Sequence, residues 1–83
     1  MNLSLRNLER DMKHLSNPTT AAILARFFKT GPGQYGAGDR FWGIKVPQTR
    51  LIAKHYQALP LTAIDHLLDS PVHELRLCAL LIL

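Results

Sequence analysis

The sequence predicts an all-α protein of stacked helices, and three observations lead there. Apolar residues recur at steps of three and four in five separate segments, no segment alternates apolar with polar residues as a half-buried strand does, and Pro follows a capping residue at two segment starts. With 83 residues the chain is at most one small domain. Folding at this size buries only roughly 60% of the unfolded surface, so stability is marginal without partners.

Leu5, Leu8, Met12 and Leu15 place the first helix at about 3–15, with Glu9 and Lys13 paired one turn apart on its polar side. Asn17 and Pro18 then restart the chain: asparagine caps free amide groups, and proline fits the first turn, where its missing N–H is not needed. Ile23, Leu24, Phe27 and Phe28 are expected to form the buried stripe of the second helix, Lys29 suits its last turn, and Gly31 is placed to end it in a left-handed conformation. So short a turn between the two predicts an antiparallel helical hairpin.

The stretch 30–50, TGPGQYGAGDRFWGIKVPQTR, interrupts the helical pattern. All five glycines (Gly31, Gly33, Gly36, Gly38 and Gly43) lie in it, with three of the six aromatics, Tyr35, Phe41 and Trp42. Glycine reaches backbone conformations other residues avoid, and bulky aromatics distinguish a shaped loop from a slack linker. Asp39 among these glycines is expected to accept loop N–H bonds or to pair with Arg40; a catalytic role is the alternative. Adjacent side chains of an extended segment point to opposite faces, so one of Phe41 and Trp42 is expected inside and the other outside.

Val46 is biased to an extended conformation by the following Pro47, which opens the third helix. Ile52, Ala53, Tyr56 and Leu59 supply its apolar stripe, and Arg50, Lys54 and Gln57 another face. Pro60 interrupts, and Leu61, Ile64, Leu67 and Leu68 mark a short fourth helix with Thr62 and Asp65 near its start. Ser70 and Pro71 repeat the cap-then-proline signal and start the fifth. Val72, Leu75, Ala79 and Ile82 share one of its faces, while Leu77, Cys78, Leu80, Leu81 and Leu83 cover the others, so it must be covered on several sides. A last helix with no polar face predicts stacking that is truncated after about five helices, and self-association through the apolar residues 77–83.

Charge is uneven. Residues 1–25 carry a net +1, residues 26–54 a net +5 with Asp39 the lone acid, and the last 29 residues a net −2. A basic excess in and beside the glycine stretch suits a phosphate-facing surface, with Arg40, Lys45, Arg50, Lys54, Tyr35 and Trp42 as candidate DNA-binding residues; a merely solvated basic face is the alternative. Gly31, Gly33, Gly36, Gly38, Asp39, Gly43 and Pro47 are read as shaping the loop. One cysteine excludes an intrachain disulfide, the charged start is unlike a signal peptide, and the longest apolar run, seven residues, is far short of a membrane span, which together predict a cytoplasmic protein.

Other chemistry finds little footing. Gly31, Gly33 and Gly36 satisfy G-x-G-x-x-G but follow a helix, whereas the dinucleotide-binding form follows a strand. No glycine precedes Lys-Ser or Lys-Thr. His14, His55, His66, His73 and Cys78 never fall at zinc-site spacings, so neither metal nor cofactor is expected. Asp65, Asp69 and Glu74 are read as helix-start residues accounted for by capping.

Residues 69–79, DSPVHELRLCA, resemble the second helix of a HEAT-type repeat, although no second copy is visible. FFKTGPGQYGAGDRFWGIKVPQTRLIAK, followed by LLDSPVHELRLCALLIL, resembles the N-terminal part of the DNA alkylation repair enzyme family, the AlkD-like DNA glycosylases, over most of residues 17–83. The resemblance implies a HEAT-like helical-repeat solenoid, an α-α superhelix curved around duplex DNA, of which residues 1–83 would be the N-terminal part of a single domain. It also implies metal-independent hydrolysis of the N-glycosidic bond of N3- or N7-alkylated purines. The family's catalytic aspartate and tryptophans match no position here, so no catalytic residue is carried over; Gly36, Asp39, Phe41, Gly43, Ile44, Pro47, Arg50 and Lys54 are the positions that match. The expected role is therefore backbone contact with DNA, and the competing one a helical-repeat scaffold that binds a protein through its last helix.

Overall fold

The computed structural model describes residues 4–28 and 38–83. Those residues form five helices: α1 (Leu5–His14), α2 (Pro18–Phe27), α3 (Val46–His55), α4 (Leu61–Leu68) and α5 (His73–Ile82). The all-α expectation holds, and the one β-type contact among the described residues is a parallel bridge between Arg40 and Val72.

Local capping sets the first two helices. Ser4 Oγ accepts the Asn7 N–H at 3.1 Å and starts α1; Asn17 Oδ1 accepts the Thr20 N–H at 3.1 Å, with Pro18 in the first turn of α2. Leu8 and Met12 of α1 are fully buried. α2 buries no residue, which corrects the expected stripe: Ile23 is 54% and Phe27 75% exposed, and Phe28 is exposed as well. The reason is that the principal helix packing lies elsewhere. The extended segment before α3 crosses the α1–α2 turn, where the Asn17 N–H donates to the Trp42 carbonyl at 2.7 Å, and the principal helix contacts run from α5 to α3 and α4 and from α1 to α3. The hairpin of the first two helices is thus not the packing unit.

The core joins Leu8 and Met12 to Ala53, Tyr56 and Leu59 around α3, Ile64 and Leu67 of α4, and Val72, Leu75, Cys78 and Ala79 around α5. Burial pushes the Cys78 thiol up to about 11, so this cysteine packs as an apolar group. Three boundaries differ from expectation. Lys45, and not Val46, is the extended residue before α3, with Gln48 Oε1 accepting the Lys45 N–H at 3.4 Å. α4 is capped by Pro60 without a side-chain bond; Asp65 lies in its middle and Asp69 at its C-terminal cap, so neither is a helix-start residue. α5 begins at His73, two residues after Pro71, because residues 71–73 pair with Arg40: the Arg40 N–H donates to the Pro71 carbonyl at 3.0 Å and the His73 N–H to the Arg40 carbonyl at 2.7 Å. Ser70 serves that extended turn, its Oγ accepting the Val72 N–H at 3.1 Å.

Candidate nucleic-acid interface

A buried carboxylate fixes the backbone that carries the basic residues. Glu74, only 2% exposed, accepts the Trp42 N–H through Oε1 at 3.0 Å and the Gly43 and Ile44 N–H groups through Oε2 at 2.9 and 3.2 Å. Successive amides converging on one carboxylate form charge-assisted bonds, about twice as strong as neutral ones. Glu74 does lie in the first turn of α5, but its carboxylate serves this distant segment, which corrects its reading as a capping residue. Nothing in the local sequence signals a contact across about thirty residues.

Gly43 makes the approach possible. Its φ is +79°, and a Cβ there would stand 2.1 Å from the Asn17 carbonyl oxygen and 2.7 Å from the Ala21 nitrogen. Gly38 also has a positive φ, +86°, but faces open space. Gly31, Gly33, Tyr35 and Gly36, like Lys29, lie outside the described residues.

Asp39 is held from three sides. Its Oδ1 accepts the Arg40 N–H at 3.2 Å and an Arg76 Nη2 hydrogen at 2.6 Å, and its Oδ2 lies 3.4 Å from His73 Nδ1. The expected loop N–H bond is present, but the arginine it pairs with is Arg76 of α5 and not Arg40. Arg76 also donates through Nη1 to the Ser70 carbonyl at 2.8 Å, so one guanidinium ties both ends of the Arg40 bridge. The side chain of Arg40 is thereby left to its exposed position.

Phe41 and Trp42 point to different sides, yet both are half-buried rather than one inside and one outside. Phe41 stacks on His73 and Phe28, with centroids 4.7 and 5.2 Å apart, and with Leu24, Ile44 and Leu77 lines an apolar cavity of about 430 Å³. Trp42 packs against the core, lines a second cavity of about 420 Å³ with Glu9, His66 and Val72, and carries the Lys13 ammonium 4.7 Å from its ring centroid.

The four candidate cations are all exposed. Arg40 projects from the bridge to Val72, Lys45 is the N-terminal cap of α3 and also borders the apolar cavity, and Arg50 and Lys54 stand one turn apart on the open side of α3. Pro47 occupies the first turn of that helix. Sequence reasoning left Lys13 out of this group; its position in α1 gave no sign that it reaches Trp42. Among the described residues no three His, Cys, Asp or Glu side chains converge to hold a metal, and no helix is long and apolar enough to cross a membrane.

A sequence model of a family described as DNA alkylation repair enzyme matches residues 8–83. Neither a curated protein nor a solved structure matches the chain.

Proposed function

The chain belongs to the DNA alkylation repair enzyme family, and from that premise we propose that it contacts the phosphate backbone of duplex DNA through Arg40, Lys45, Arg50 and Lys54. One observation carries this reading: all four cations are exposed, Arg40 and Lys45 on or beside a segment held by Glu74 and by the bridge to Val72, and Arg50 and Lys54 on the helix that follows it. Preformed placement removes part of the ordering cost of binding, which otherwise offsets the gain from each contact. In the wider reading these helices are part of a HEAT-like solenoid, and Trp42 borders the nucleic acid.

Base excision, the activity the family resemblance implies, would require a carboxylate free to face the deoxyribose and stabilise its developing positive charge. Asp39 and Glu74 are poorly disposed for this. The first is bound by Arg76 and His73, and the second is buried under three N–H groups. We therefore assign these residues to binding geometry rather than to hydrolysis.

The competing scaffold reading draws on exposed Leu80 and Leu83 of the last helical segment. Salt dependence separates the two, because phosphate contacts release counterions and apolar contacts do not. In anisotropy titrations with duplex DNA, Arg40→Ala/Lys45→Ala/Arg50→Ala/Lys54→Ala is expected to bind more weakly, its salt slope reduced by about 0.9 for each phosphate no longer neutralised. A slope identical to the parent's would remove these residues from the interface.

A further inference from the structure

The first 25 residues are nearly neutral as a sequence, three cations against two acids. Folding sorts those charges. Arg6, Arg10 and Lys13 stand at i, i+4 and i+7 of α1, all exposed, on the face opposite the fully buried Leu8 and Met12. The acids are turned to the flanks: Asp11 accepts the hydroxyl of Tyr56 through Oδ2, and Glu9 borders the cavity lined by Trp42. Asp11 Oδ1 does lie 3.9 Å from Arg10 Nε, but so long and exposed a pair restrains the arginine little.

This basic stripe is attached to the segment already described. The Lys13 ammonium lies over the Trp42 ring, and the Asn17 N–H just beyond α1 donates to the Trp42 carbonyl. The end of the α1 stripe thus adjoins the backbone between Arg40 and Lys45. We propose that the exposed face of α1 is a second phosphate-contacting track for duplex DNA, carried by Arg6, Arg10 and Lys13 and joined to the first at Trp42. The proposal rests on the DNA-binding reading above.

The geometry suits the partner. From Arg6 to Lys13 an α-helix rises about 10 Å, and successive phosphates of one strand climb about 3.4 Å along the duplex axis while winding around it, so the long side chains of the stripe can reach neighbouring phosphates of one strand. A membrane surface would attract the same charges, but an interfacial helix inserts its apolar face, and that face of α1 is committed to the core.

The test compares Arg6→Gln/Arg10→Gln with Arg50→Gln/Lys54→Gln, measuring duplex DNA affinity across a salt series. The α1 pair is expected to lower the salt slope by about 1.8, two phosphates at about 0.9 each. Its melting temperature should be unchanged, and Arg6→Lys/Arg10→Lys should restore the slope. If only the α3 pair lowers the slope, the α1 track is overturned and the proposed function stands. If only the α1 pair does, α1 is supported and the assignment of Arg50 and Lys54 falls. Absence of salt-dependent duplex binding by the parent protein overturns both. Retention of the parent on phosphatidylserine vesicles, abolished in the α1 pair while its DNA slope is unaltered, would assign the stripe to lipid and overturn the proposal.

Discussion

Glu74 of α5 reaches across the fold to Gly43, its Oε2 accepting the glycine N–H at 2.9 Å while Gly43 itself presses against the backbone of Asn17. Three parts of the chain thereby meet at one point: the start of α2, the extended segment before α3, and the first turn of α5. The basic segment inherits its shape from that junction.

Removal of the carboxylate should be costly. Glu74→Ala leaves the N–H groups of Trp42, Gly43 and Ile44 without their acceptor, at about 1–3 kcal/mol for each that finds no water. The sum rivals the whole stability of a small domain, about 5 kcal/mol at the low end. Urea denaturation should show little or no folded Glu74→Ala, with Glu74→Gln intermediate because one acceptor oxygen is retained. A Glu74→Ala midpoint equal to the parent's would show that the junction does not depend on this side chain.

The two positive-φ glycines should respond differently. Gly38→Ala meets only backbone strain, about 1 kcal/mol, since nothing lies near the added methyl group. Gly43→Ala adds a clash with the Asn17 carbonyl oxygen, and what must move is backbone. Thermal melts are expected to place Gly43→Ala well below Gly38→Ala. Equal losses would mean that conformational strain alone governs both sites.

Tyr56 gives a pH signature. Its phenol is pushed up to about 12, first by burial and then by the hydrogen bond and negative charge of Asp11, with Arg10 opposing. In an unfolded chain the phenol titrates near 10. A raised value means that the folded state holds the proton more tightly, so the contribution is complete below about pH 10 and is lost as pH rises through about 12. Tyr56→Phe should be less stable than the parent at pH 8, for want of the bond to Asp11, and should lose less stability between pH 10 and 12. Parallel stability curves for the two proteins over that window would exclude Tyr56 as the titrating group.

What the sequence determined by itself was local. Spacing of Leu5, Leu8 and Met12 set α1, and Asn17 with Pro18 set the start of α2, because a capping bond spans only three residues and needs no distant partner. The exposure of Arg40, Lys45, Arg50 and Lys54 was legible for a similar reason: an unpaired cation is expensive to bury. Tertiary structure alone decided the rest. Periodicity at Ile23, Phe27 and Phe28 announced an apolar face but not whether anything covers it, and the packing went instead to α3, α4 and α5. Glu74 read as a capping acid because its three partners lie 30–32 residues away; α5 starts late because a bridge to Arg40 competes for the backbone groups of residues 71–73; and the charges of α1 nearly cancel along the chain, to a net +1, yet separate around the helix. Each of these turns on which distant groups meet, and pairing across tens of residues leaves no mark on the pattern of its neighbours.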